Sequence, residues 1–204
     1  MRRAFILAAA AAAALSVAAC QKTDSQPSAA DPGTGNDAVN AAQDAASAAV
    51  GAASATQIST EDFVTSAAIS DMYEIQAGEI AQKKGQSADV KAFGKTMVTD
   101  HTALSKELKP LIAAAGKTPP TGLDERRKGL IDNLNAASAA EFDQVYLKQQ
   151  EAAHDEALSL MRNYAEKGDD VNLKAAASKA VPKVQAHLDH VKQLQAAPPA
   201  PAKK

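Results

Sequence analysis

Tryptophan is absent, tyrosine and phenylalanine together number seven, and one cysteine stands alone among 204 residues. A single thiol cannot close an intramolecular disulfide. Scarce aromatics remove the side chains that fill sandwiches and barrels, and the composition speaks equally against a large α/β enzyme. An excess of positive charge is lacking too. The 22 basic and 24 acidic residues leave a net charge of −2, which excludes bulk electrostatic binding of nucleic acid, since that needs a basic surface. No Gly-x-Ser-x-Gly elbow, phosphate loop or dinucleotide fingerprint occurs. Alanine, by contrast, is abundant, at 49 residues. It supplies about half of the nominally hydrophobic content and leaves larger apolar residues at about a fifth of the chain, near the floor for a globular domain. Because alanine is the best helix former and a poor strand former, this composition predicts a thin, all-helical core.

Residues 1–19 read as an export signal. Arg2 and Arg3 make a basic start, Phe5 to Leu15 are apolar but too few to span a membrane comfortably, and small residues lead up to Cys20. Val17-Ala18-Ala19-Cys20 has the form of a bacterial lipobox, which makes Cys20 the expected lipidation site, with cleavage in front of it. That cleavage removes two arginines, so 20 basic against 24 acidic residues give the mature chain a charge of −4. Gln21, rather than Asp, follows the cysteine, and the expected location is the outer membrane of the cell envelope. The acyl chains sit in the leaflet and the body in the periplasm. Arg2-Arg3 also weakly resembles a twin-arginine signal, so both export routes stay open.

Residues 20–57 are rich in Ala, Ser, Gly and Pro and hold almost nothing that could fill a core, as expected of a disordered tether; 196–204 (AAPPAPAKK from Ala196) read as a disordered tail. Residues 58–195 remain as one helical domain. Ser59 or Thr60 caps a first helix that Gly85 ends, and Ser87 caps a second that runs to Gly116, with a kink expected at Pro110. A short helix through Leu123, Leu130, Ile131 and Leu134 follows the Pro119-Pro120 turn. Ser138-Ala-Ala-Glu141 matches a capping box for a long helix ending near Gly168, and Asp169 or Asp170 opens the last, which runs to about Gln195 with a bend expected at Pro182. Four long helices and one short one predict a bundle.

Polar residues fall where the apolar stripes should be. Asp143, Tyr146, Gln150 and His154 are spaced 3, 4 and 4, which places them in one stripe of a helix. His101 sits one turn beyond Met97 with Asp100 beside it, the first helix offers Glu74 and Glu79, and the last offers His187 and His190. Two readings fit. In one, His101, His154 and His187 with Glu74 or Asp143 bind a transition metal, with iron, zinc or copper suiting such donors. Glu151-Ala-Ala-His154 has the Glu-x-x-His spacing of carboxylate bundles, but the second such motif is missing, so a di-iron pair lacks ligands. In the other, Asp100, Tyr146, Gln150 and Glu151 join the histidines in a polar network that fixes helix register without chemistry or cofactor. His190 reads as a solvent-facing or helix C-terminal charge, Met72, Met97 and Met161 as core filling, and Arg126-Arg127-Lys128 as a solvated face balanced by Asp124 and Glu125.

The run DFVTSAAISDMYEIQAGEIAQKKGQSADVKAFGKTMVTDH, then EFDQVYLKQQEAAH, then KAVPKVQAHLDHVKQL, resembles the bacterial domain of unknown function 4142 family, from Ser59 to Leu194. Its most specific pieces are Met97-Val-Thr-Asp-His101, Phe142-Asp143-x-x-Tyr146 with His154 eight residues on, and Val181-Pro182 with His187; Val181 replaces the leucine usual before that proline. The resemblance implies a ferritin-like four-helix domain on exported or envelope-anchored proteins, often without assigned activity. Together these features suggest a periplasm-facing lipoprotein, non-enzymatic and acting as a binding or stress-related module. The alternative is a metal-binding or metal-dependent redox protein with a His/carboxylate core site. The membrane, reached through the lipid, is the one partner expected; the sequence names no protein partner.

Overall fold

The computed structural model describes residues 57–196; Cys20, the signal, the tether and nearly all of the tail lie outside the described residues. Every element within that range is a helix: α1 (Thr60–Lys84), α2 (Ala88–Ala114), α3 (Glu125–Ala136), α4 (Phe142–Lys167) and α5 (Val171–Ala196). Local chemistry sets the starts. The Ser59 hydroxyl accepts from the Asp62 amide at 3.1 Å, and Ser87 likewise from Val90 at 3.1 Å. Asp124 accepts from Arg127 N–H at 2.7 Å and Asp170 from Leu173 N–H at 2.9 Å, so each satisfies an amide that has no partner inside its helix. Gly116, at φ 67°, ends α2 in a left-handed turn, with Lys117 N–H returning to the Ile112 carbonyl at 3.1 Å. The expected capping box does not form. Ser138 Oγ donates to the Glu141 carboxylate at 2.7 Å instead of accepting from a backbone amide, and the residues make a single turn ahead of Phe142. Both long helices with an internal proline run on through it.

Cross-helix pairs give the topology. Thr60, at the start of α1, bonds Tyr164 near the end of α4 at 2.6 Å, and Lys84, at the end of α1, lies over the ring of Phe142, which opens α4. These two helices are therefore antiparallel. So are α2 and α5, since Phe93 meets His190, Asp100 meets Lys183 and Glu107 meets Lys179. With tight turns joining α1 to α2 and α4 to α5, the order is up, down, down, up, and the chain from α2 to α4 must cross the length of the bundle. Residues 115–141 make that crossing and contain α3, which packs on α1 and α4. Lys84 fixes its end by donating to the carbonyls of Leu134, Asn135 and Ala137 at 2.6–3.0 Å. Arg126 and Arg127 reach Glu156 of α4, and Arg127 is buried rather than on a solvated face. Only Lys128 of that trio is exposed and paired within α3, to Glu125.

The core forms two apolar clusters. One gathers Phe93, Met97, Phe142, Tyr146 and Leu188, and the other Phe63, Leu108, Met161, Tyr164 and Leu173. Along α1 and α2, the buried polar residues Asp71, Glu74 and His101 fall between them. The α1–α2 seam is a close backbone approach. A Cβ on Gly78 would lie 2.6 Å from the Gly94 carbonyl oxygen, so only glycine permits this backbone spacing. Among the described residues no helix is long and apolar enough to cross a membrane.

Candidate metal centre

Three helices each carry one imidazole into the middle of the bundle: His101 on α2, His154 on α4 and His187 on α5. All three are buried, and their ring centroids stand 5.4–5.8 Å apart. Each ring is held by one nitrogen. His101 Nδ1 pairs with the Asp71 carboxylate at 2.8 Å, His154 Nδ1 donates to the Gln150 carbonyl at 2.8 Å, and His187 Nε2 pairs with Asp100 at 2.8 Å. The other nitrogen of each, His101 Nε2, His154 Nε2 and His187 Nδ1, is buried and has no hydrogen-bond partner. One nitrogen from each ring lies within 4.8 Å of one from each of the other two. The outer bonds thus fix the tautomers, and in the neutral rings they leave a lone pair on each unpartnered nitrogen. An imidazole oriented by a carboxylate or carbonyl on its far nitrogen is the usual arrangement of a metal-ligating histidine.

Electrostatics follow from burial. His154, deep and facing His101, is pushed down to about 3 by burial first and by its neighbour second. Burial also takes His187 down to about 4, against the pull of Asp100. His101 goes the other way. Burial alone would lower it, but the hydrogen bond that its Nδ1–H donates to Asp71 and the carboxylates of Glu74, Asp71 and Asp100 outweigh that and raise it. Glu74 is pushed up by burial, the largest effect, although His101 and the Gln150 amide oppose it. Its Oε2 accepts from Gln150 at 2.7 Å, while its Oε1 is unpaired and 3.9 Å from His154 Nδ1. Glu74 is thus the one acidic group buried next to the rings whose carboxylate keeps an unpaired oxygen.

The structure separates the residues that the sequence had grouped. His101, His154, His187 and Glu74 come together, with Gln150 and Asp100 as their partners. Asp143 does not. Its two oxygens accept from the Gln86 and Ser87 amides at 2.8 Å each, bracing the start of α2, and it lies 11 residues from His154, about 16 Å along the helix. Glu151 turns outward toward Lys192 and takes no part in the core network, so the Glu-x-x-His spacing builds no bridging carboxylate. Tyr146 is buried against Phe93 and Phe142, with its hydroxyl unpaired and its acidity suppressed by burial. Glu79 and His190 are exposed. The residue that the sequence reading missed is Asp71, which binds His101 with one oxygen and Ser105 with the other, both at 2.8 Å. Its signal was its place three residues before Glu74, on the same buried face as Ala67, Ala77 and Gly78.

Fold and site together define a ferritin-like helical bundle with an all-imidazole cluster in place of a carboxylate-bridged pair. The pattern described as Domain of unknown function (DUF4142) matches residues 44–194, and the chain belongs to that family. The match begins inside the stretch read as tether. No curated protein matches the chain. Among solved structures, it is similar to one described as CopM in the Cu(II)-bound form, at 19% identity and a TM-score of 0.59, over 68% of this chain and 97% of that one. At that identity the likeness speaks for the bundle fold.

Proposed function

We propose that this protein binds a transition-metal ion through His101 Nε2, His154 Nε2 and His187 Nδ1, as a binding module of the cell envelope. The observation that carries the reading is the convergence of three unpartnered, buried ring nitrogens whose opposite edges are all anchored. A purely structural network would be expected to satisfy its buried polar atoms, and here one nitrogen of each clustered ring is left without a partner. Neutral imidazoles suit zinc, copper and iron. Metal–nitrogen bonds of about 2.0–2.1 Å put tetrahedral ligands about 3.4 Å apart, so the rings must close in by at most about 1.4 Å. Glu74 supplies a nearby acid that can balance the charge of a buried cation. The structural relative carries Cu(II) in its description, which makes copper the first ion to try.

Elemental analysis of protein purified without chelator, followed by titration with Cu(II) and Zn(II), tests the reading. One equivalent of bound metal and a raised melting temperature are expected, because a ligand that binds only the folded state stabilises it. His187→Gln, at the ring nearest solvent, and His154→Ala should each abolish the shift. Retention of less than about 0.1 equivalent, with melting unchanged on adding either ion, would refute metal binding. That result would leave the cluster as a register-fixing network, a role its hydrogen bonds to Asp71, Asp100 and Gln150 also support.

A further inference from the structure

The three rings are not equally deep. His154 and His101 are 1% and 4% exposed and His187 is 7%. His187 is also the one tied to a carboxylate that reaches water, since the Asp100 side chain is 24% exposed. Asp100 in turn lines a groove of about 510 Å³ between α2 and α5, together with Leu104, Glu107, Lys179, Ala180 and Lys183. A second cavity, of about 220 Å³, lies between α1 and α4 at Ser66, Ser70, Glu156 and Asn163, but none of the residues bonded to the rings lines it. Gly78 and Gly94 bring the α1 and α2 backbones together, Tyr73, Glu74, Gln149 and Gln150 occupy the α1–α4 side, and Leu158, Val184 and Leu188 the α4–α5 side. Two ion pairs span the open seam, Lys183–Asp100 at 2.9 Å and Lys179–Glu107 at 3.2 Å. Asp100 therefore holds Lys183 with one oxygen and His187 with the other.

We propose that a transition-metal cation reaches the three imidazoles through the α2–α5 seam, and that the Lys183–Asp100 ion pair is the latch over this port. The proposal rests on the metal-site reading above. With the pair closed, an ammonium stands at the mouth and repels a cation. The same pair pins Asp100, and Asp100 pins the His187 ring. When Lys183 swings away, the carboxylate is free to meet the incoming ion and the ring is free to turn its Nδ1 toward it. The alanine side of α5 leaves room for that movement. Asp100 is a positioning residue in this scheme, and Lys183 controls rate, not affinity.

Stopped-flow mixing of the full chain with Co(II), followed by its visible absorbance, gives the association rate, and mixing the loaded protein with excess chelator gives the dissociation rate. Lys183 and Lys179 are 51% and 77% exposed in their side chains, so alanine at either leaves the fold intact. Lys183→Ala should speed both rates about fivefold, equivalent to about 1 kcal/mol, the upper end for a surface ion pair, and leave Kd within about twofold of wild type. Lys179→Ala removes the same charge one turn away from a pair that does not touch Asp100, and it should change neither rate appreciably. Equal acceleration of association in both variants, with dissociation unchanged, overturns the latch and assigns the effect to overall charge. Unchanged rates in Lys183→Ala overturn it as well. No equilibrium uptake of Co(II), Cu(II) or Zn(II) by the wild type overturns the metal-site reading itself, and the port with it.

Discussion

At the scale of single residues, the site is governed by the cost of charging an imidazole away from water. His154 at about 3 and His187 at about 4 both lie below the ordinary histidine value near 6.5, so the folded state holds them neutral while the unfolded chain protonates them first. Their contribution to stability is complete above about pH 6.5 and is lost as pH falls toward their folded values. His101, raised by Asp71, acts in the opposite sense: its contribution is present below its unfolded value and fades as pH rises through the folded one. The groups facing the cluster are Asp71 and Glu74 from α1, Asp100 from α2 and Lys183 from α5, and none supplies an anion bonded to His154. Two histidines against one settle the sign. Metal-free protein should lose melting temperature steadily between about pH 7 and pH 4, and His154→Gln should flatten that slope. A melting temperature independent of pH over this range, followed by circular dichroism, would show that the rings are not buried as neutral groups.

At the scale of elements, the α1–α2 seam places Asp71 against His101, and Gly78 and Gly94 set its width. A helix-favouring change to alanine gains about 0.5–1 kcal/mol in propensity, but a methyl 2.6 Å from a backbone oxygen has nowhere to go unless the helices part. Gly78→Ala should therefore destabilise the fold by about 1–3 kcal/mol in urea unfolding, in spite of the propensity gain, and weaken whatever binds at His101. A neutral or stabilising outcome would refute a seam too narrow for a methyl group at this position. This close approach also marks where the sequence stopped being legible. The helices could be read because caps and breakers act within a few residues: Ser59, Ser87, Gly85 and Gly168 bound elements where expected. The three site histidines could be found because each falls on a buried stripe. Asp143 lies on the same stripe as His154, yet a stripe says nothing about position along the bundle axis, and three turns removed Asp143 from the site to the α2 cap. Glu151 matched a spacing motif, but the motif depends on which neighbour its helix faces, and α5 offers Lys192 there. The partnership of Asp71 with His101, 30 residues apart, is a property of helix pairing, which no local pattern encodes.

At the scale of the whole molecule, the bundle is one half of a proposed arrangement whose other half is the acylated Cys20. If that anchor holds, Cys20→Ala should move the protein from the membrane fraction to the soluble periplasmic extract; variant protein that still sediments with membranes would refute the lipid assignment.

The three imidazoles come from both sides of the α3 crossover: His101 belongs to the first helical hairpin, and His154 and His187 belong to the second. A cation shared among them would tie sequence positions 53 and 86 residues apart (101 to 154 and 101 to 187) into closed loops. In a chain whose lone thiol cannot cross-link it, that ion would do the work of a disulfide. It would shrink the ensemble open to the unfolded state, and a chelator could undo it where no reductant has anything to act on.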